Sequence, residues 1–155
     1  MAKVDIARAG EEDIAAVRGL LEEYATARGV DLGFQQFERE LAELPGAYGA
    51  PEGVLLVARR GGDTVGCVGV RALGGGACEL KRLYVRPTER GHGTGRALTE
   101  AALAEARRLG HRRVLLDTLP GMETAQRLYV ELGFRDVPPY TRNPVEGTRF
   151  LELSL

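Results

Sequence analysis

An α/β fold built on one mixed sheet is what this sequence predicts, and three observations predict it. Four segments repeat apolar residues at helical spacing, seven short runs are β-branched or alternate apolar with polar residues, and two glycine clusters sit where hairpins would turn. In order they read β1-α1-α2-β2-β3-β4-α3-β5-α4-β6-β7 over residues 1–155. With no repeat, low-complexity tract or linker to divide the chain, one domain is expected.

The first strand, β1, is "KVDIARA". Ile14, Val17, Leu21 and Tyr24 then recur at helical spacing and predict α1; Phe34, Phe37, Leu41 and Leu44 predict α2, which Pro45-Gly46 stops. The runs "VLLVARR", "TVGCVGVRAL" and "CELKRLYV" predict β2, β3 and β4. Gly61-Gly62-Asp63 and Gly74-Gly75-Gly76 supply their turns, so these three strands should be antiparallel neighbours. Helix α3 runs from about Thr94 to Leu109, with Ala97, Ala101, Ala102 and Ala104 allowing close packing on a sheet and Gly110 ending it. It serves as the crossover to a parallel β5, "RRVLLDT". Ala125, Leu128, Tyr129 and Leu132 mark α4, before Gly133, and "FRDV" and "TRFLELSL" supply β6 and β7.

Composition narrows the function. A formal net charge of −1 offers no basic surplus for nucleic acid or anionic lipid, and the pairs Arg107–Arg108 and Arg112–Arg113 read as a solvated face. A small-molecule ligand suits this balance better. The start carries no apolar signal-like run, and no segment approaches the ~18 apolar residues of a membrane span, which leaves the cytoplasm as the expected location. Cys67 and Cys78 fall in strand-like stretches and read as core. His92 and His111 occupy a loop and a strand entrance, with no spacing that suggests a metal.

Chemistry is concentrated where β4 meets α3. Gly91, Gly93 and Gly95 alternate at the join. A strand running through a glycine turn into a helix gathers unpaired N–H groups and the positive end of the helix dipole, which makes an anion site. A nucleoside triphosphate loop is absent, because no Gly-Lys-Ser/Thr occurs. The dinucleotide fingerprint fails as well, since Arg96 stands where its third glycine belongs. The bland reading is a tight turn and nothing more.

Read as R-x-x-G-x-G after "LYVRP", Arg90-Gly91-His92-Gly93-Thr94-Gly95 resembles the acyl-CoA signature of the GCN5-related N-acetyltransferases (GNAT). Downstream, "AQRLYVELGF" is similar to the family's second signature, A-x-x-x-Y-x-x-x-G-F, and the element order agrees along the chain. Together with "LDTLP" and "PPYTRNPVEG", the motifs look like an uncharacterised bacterial branch. The resemblance implies that β4 and β5 splay apart and that the pantetheine arm of acetyl-CoA lies between them like an added strand. It assigns Leu83, Tyr84 and Val85 to the arm and the amides of Arg90, Gly91, His92, Gly93, Thr94, Gly95 and Arg96 to the pyrophosphate. A β-bulge usually opens that splay, so the in-out alternation of Glu79, Lys81, Leu83 and Val85 is not expected to hold across it. One departure is Met122, where many members carry an asparagine that touches pantetheine.

The reaction so implied is attack of an amine on a thioester. An alkylamine lies about 3 units from deprotonation at neutral pH, so freeing its lone pair costs about 4 kcal/mol unless a base assists. Glu79 on β4 and Asp117 at the end of β5 are the candidate bases, each with a structural hydrogen bond or an ion pair with Lys81 or Arg82 as its alternative. From periodicity, Tyr129 is a core tyrosine; by the resemblance its hydroxyl protonates the departing thiolate. An amide of the Leu83 to Val85 stretch would meet the carbonyl oxygen as it gains charge. On the acceptor side stand the α1–α2 connection from Thr26 to Gly33, the loop around Tyr48, and the long segment containing Tyr140, Arg142 and Asn143. Arg142 or Arg82 could hold a carboxylate while Glu79 and Asp117 attract an ammonium. The expected enzyme therefore transfers acetyl directly from acetyl-CoA to a small, amino-acid-like amine. A protein or peptide acetyltransferase and a non-catalytic acyl-CoA sensor are the alternatives, and homodimerisation is left open.

Overall fold

The computed structural model describes residues 3–28 and 36–155. Seven strands form one sheet in the order β1-β2-β3-β4-β5-β7-β6. They are β1 Val4–Arg8, β2 Val54–Arg60, β3 Asp63–Gly74, β4 Ala77–Val85, β5 Arg113–Thr118, β6 Arg135–Asp136 and β7 Arg149–Ser154; the α-helices among the described residues are α1 Ile14–Arg28, α2 Phe37–Glu43, α3 Thr94–Arg108 and α4 Glu123–Glu131. The order matches the expected one. Phe34, assigned to α2, lies outside the described residues, as does the α1–α2 connection beyond Arg28, whereas Thr26 belongs to the last turn of α1. Strand β6 is two residues, not four.

Both glycine turns are two-residue hairpins. Arg60 pairs with Asp63 around Gly61-Gly62, and Gly74 with Ala77 around Gly75-Gly76. All four central residues have positive φ, which L side chains adopt only with strain and which gives the turn that fits the twist of the flanking strands. Asp63 therefore opens β3 and is not part of the turn.

The sheet separates two cores. Leu98, Ala102 and Ala106 of α3 and Tyr129 of α4 pack on one face with Cys78 and Leu80, while Val17, Leu20 and Leu21 of α1 and Phe37 of α2 pack on the other with Cys67 and Tyr84. Both cysteines are buried free thiols, as expected. Strand β4 changes parity between these faces: Cys78 and Leu80 belong to the first core, and Leu83 and Val85 join it three and five residues after Leu80. The extra residue lies in the step from Cys67↔Tyr84 to Gly69↔Lys81, where β4 advances three residues against two in β3. Arg82 sits in that bulge with φ +62, a conformation a non-glycine residue holds only when its surroundings over-determine it.

The bulge coincides with a divergence. The parallel ladder between β4 and β5 covers only Ala77↔Arg113, Cys78↔Val114 and Glu79↔Leu115, although β4 runs on to Val85 and β5 to Thr118. Beyond Glu79, the β5-facing edge of β4 has no strand beside it among the described residues, which is the splay expected from the resemblance.

Candidate active site

The splay opens into an outer cleft of about 740 Å³. One wall is Leu83 to Val85, Arg90, Gly91 and Gly93 to Arg96; the other is Gly121, Met122 and the α4 face of Thr124, Ala125 and Leu128. Gly91 and Gly93 have φ +84 and +79, so the turn alone explains those two glycines. Gly95 is different. Its φ is not in the left-handed region, and a Cβ there would meet only Val85 Cγ2 at 3.9 Å, so a side chain at 95 would project into the cleft without backbone strain.

The first non-local helical bond of α3 runs from Ala97 N to Gly93 O at 3.0 Å, leaving the amides of Thr94 to Arg96 as the donors that a helix start cannot satisfy internally. The hydroxyl of Thr94 is buried there with no hydrogen-bond partner among the described residues. Arg90 donates from Nε to Val85 O at 3.0 Å, with its guanidinium over the Tyr84 ring. Arg96 pairs with Glu131 across the cleft. His92 is exposed and, unlike its glycine neighbours, does not line the cleft.

Deeper in the splay lies a smaller cavity, lined by Lys81, Leu83, Asp117, Met122, Tyr129 and Asn143 among others. It shares Tyr24, Leu83 and Met122 with the outer cleft, so those three residues form the border between them. Tyr129 is 4% exposed, with its ring against Phe134. Burial, with smaller contributions from Tyr24 and Asp117, pushes its phenol well above the ordinary tyrosine range, so it keeps its proton at any working pH. Asp117 accepts a hydrogen bond from Asn143 Nδ2 at 3.1 Å. The Tyr129 ring belongs to the core, as its periodicity predicts, and the residue also lines the cavity.

On the acceptor side the side chains are tied to one another. Glu79, 1% exposed, is bound by Arg71 Nη2 at 2.7 Å and accepts a hydrogen bond from Tyr140 Oη at 2.5 Å. Arg71 stands directly opposite Glu79 in the β3–β4 register, so pairing places the two charges together. Its partner is therefore neither Lys81 nor Arg82. Arg82 is locked in a two-point pair with Glu40 of α2, at 2.7 and 3.0 Å, with its guanidinium over Phe37. That corrects the expectation that Arg82 is free to hold a substrate carboxylate. Arg142 is exposed and lines neither cavity, whereas Tyr140 and Asn143 of the same segment reach inward to Glu79 and Asp117.

The description "Acetyltransferase (GNAT) family" belongs to the family model that matches residues 15–134. The chain belongs to that family. An uncharacterised N-acetyltransferase of Schizosaccharomyces pombe is 40% identical over 146 residues, covering 93% of this chain and 90% of that protein. A GNAT acetyltransferase structure from Staphylococcus aureus Mu50 superposes with a TM-score of 0.83 over 98% of this chain and 99% of its own, at 18% identity. An N-acetyltransferase of Thermoplasma acidophilum, solved in complex with coenzyme A, gives 0.75 over 99% of each chain at 15% identity. At those identities the two structures speak to the fold. The protein is an acetyltransferase.

Several residues of this acetyltransferase escaped the sequence reading. Arg71 and Glu40 are ordinary charged residues in a strand and a helix, and nothing in their spacing announces Glu79 or Arg82 as a partner. Tyr24 looked like an α1 core position, yet it borders both cavities. Lys81 was expected as an ion-pair partner of a carboxylate, and its place in the lining of the inner cavity was not foreseen.

Proposed function

We propose that this acetyltransferase uses acetyl-CoA and transfers the acetyl group directly to the amine of a small molecule. The observation that carries the reading is the junction of the two cavities: Leu83, Tyr24 and Met122 border both, and Tyr129 and Asp117 line the inner one. An anionic, extended ligand fits the outer cleft. The unsatisfied helix amides, the orphaned Thr94 hydroxyl and bare Gly95 suit the pyrophosphate, and the free edge of β4 suits the arm. When bound, acetyl-CoA supplies an activated acetyl thioester.

The residues then have separate tasks. A β4 amide from Leu83 to Val85 donates to the acetyl oxygen as negative charge grows on it. Asp117, acting through a water, accepts the proton the amine gives up. Tyr129, held protonated by burial, donates its proton to the departing sulfur. Glu79 is the weaker candidate base because Arg71 and Tyr140 already occupy its carboxylate. A small acceptor is supported by Tyr140 and Asn143, which among the described residues tie the β6–β7 segment to Glu79 and to Asp117 at the inner cavity. An amino-acid-like acceptor loses support, since Arg82 lines the inner cavity with its guanidinium paired to Glu40 and Arg142 lines neither cavity.

Thiol release from acetyl-CoA measured over panels of small amines and of peptides tests this reading. Turnover on small amines is the expected result. Turnover on peptides alone would transfer the assignment to protein modification, and background rates throughout would leave an acyl-CoA sensor. Asp117→Asn should lower kcat at every pH, because a carboxamide accepts no proton, whereas Glu79→Gln should mainly change stability.

A further inference from the structure

We infer that Lys81 is itself an acetyl acceptor, a self-modification site inside the inner cavity. The inference rests on the proposed acetyl-CoA reading and adds an internal amine to it. Lys81 lies opposite Gly69 on β3, two residues before Leu83 on the free edge of β4, and it lines the same cavity as Asp117 and Tyr129. An amine there is on the same side of the cavity border as the groups assigned to proton transfer.

Its charge is left over. Glu79 is taken by Arg71, and Arg82 by Glu40, while Asp117 is hydrogen-bonded to Asn143. Among the described residues the Lys81 ammonium has neither hydrogen bond nor salt bridge. Burial lowers its pKa; Glu79 and Asp117 oppose that shift, and Arg82 and Arg71 add to it. A lysine so placed carries more of the neutral, nucleophilic amine at neutral pH than an exposed one does. The choice of residue is also informative. The chain uses arginine at nineteen positions and lysine at only two, Lys3 and Lys81. Arginine could supply charge at position 81, but its guanidinium stays protonated and cannot attack a thioester.

The step balances without any further reactant. The lone pair of Nζ attacks the thioester carbonyl carbon, an N–C bond forms, and the C–S bond breaks. The proton lost from Nζ passes to Asp117 through water, and Tyr129 protonates the leaving sulfur. Acetyl-lysine and free CoA thiol are the products, and the proton on Asp117 returns through water to Tyr129. Lys81 is the one lysine among the residues lining the inner cavity, so the modification is limited to one event per chain at this site.

Incubation of the folded protein with acetyl-CoA alone, followed by intact mass and peptide mapping, tests this. The expected result is one acetyl group per chain, on Lys81, appearing at least about tenfold faster than on Lys3, since a positioned amine gains from proximity. Tyr129→Phe should slow the labelling by the same factor as it slows thiol release with an external amine, and Lys81→Arg should take no rapid label. Equal labelling of Lys3 and Lys81, or labelling of Lys81 unslowed by Tyr129→Phe, would reduce the event to uncatalysed acylation and overturn the inference. An unlabelled Lys81 in an enzyme that turns over external amines would overturn it too, leaving the acetyltransferase reading intact. Absence of both label and turnover would remove the two together.

Discussion

The two sides of β4 are built on different principles. Toward the outer cleft the chain offers mainly backbone: the free edge of Leu83 to Val85, the amides of Thr94 to Arg96 and the bare Cα of Gly95. Toward the acceptor it offers side chains, with Arg71, Glu79 and Tyr140 in one group and Glu40 and Arg82 in another. The backbone part of the first surface lies within residues 83–96, on a strand, a glycine turn and a helix start, and α4 with Gly121 and Met122 supplies the facing wall. The second draws on β3, β4, α2 and the β6–β7 segment, and each member is costly if its partner is lost. The first surface can be set by local backbone, whereas the second depends on how distant elements meet.

Breaking the acceptor side should give the largest effect. Arg71→Met leaves the Glu79 carboxylate, 1% exposed, with only Tyr140 for company, and should cost about 3 kcal/mol in a denaturant titration. Glu79→Gln should cost less, because the amide oxygen still accepts from Tyr140 and Arg71 is partly exposed. A smaller loss for Arg71→Met than for Glu79→Gln would mean that the pair is not what organises this side.

Tyr129→Phe probes the junction of the two regions. A fall in kcat of ~10–100-fold with unchanged acetyl-CoA affinity is expected, toward the low end for a positioned acid because a thiolate leaves partly unaided. Equal activity with reduced stability would return Tyr129 to the core alone.

On the cofactor side, Gly95→Val should weaken acetyl-CoA binding about tenfold by calorimetry, equivalent to ~1.4 kcal/mol, while the melting temperature hardly moves. Gly93→Val is the poorer test, since its φ of +79 strains the fold as well. Unchanged affinity in Gly95→Val would mean that the ligand does not approach this backbone.

The smallest effect belongs to Lys81→Met, which should raise the melting temperature. Burial makes the Lys81 ammonium less favourable in the folded chain, so the unfolded chain binds that proton more tightly. Stability contributed at this position therefore rises with pH between the lowered folded pKa and the ordinary lysine value, and Lys81→Met should flatten that slope. A variant less stable than the parent at neutral pH would show that the ammonium has a partner.

Much was legible in the sequence because it is local. Apolar periodicity gave α1, α3 and α4, and paired positive-φ glycines gave both hairpins; the alternation Gly91, Gly93, Gly95 marked the loop between β4 and α3. Tyr129 was legible twice over, as a core position and as a signature residue. Phe134 and Leu151 could be assigned to a core without knowing what they touch, since burial of apolar surface is not directional.

What the sequence could not determine is which charges meet. Glu79 has Lys81 and Arg82 as near neighbours along β4, and a reading along the chain offers those as partners. Antiparallel pairing sets Arg71 opposite it instead. The bulge at Arg82 then shifts the parity of β4, sending that guanidinium to Glu40 and leaving Lys81 beside the cavity. Hydrophobic order is written in periods of a few residues and can be read along the chain. Ion pairs and hydrogen bonds depend on distances of about 3 Å between residues far apart in the chain, and only the assembled sheet fixes those.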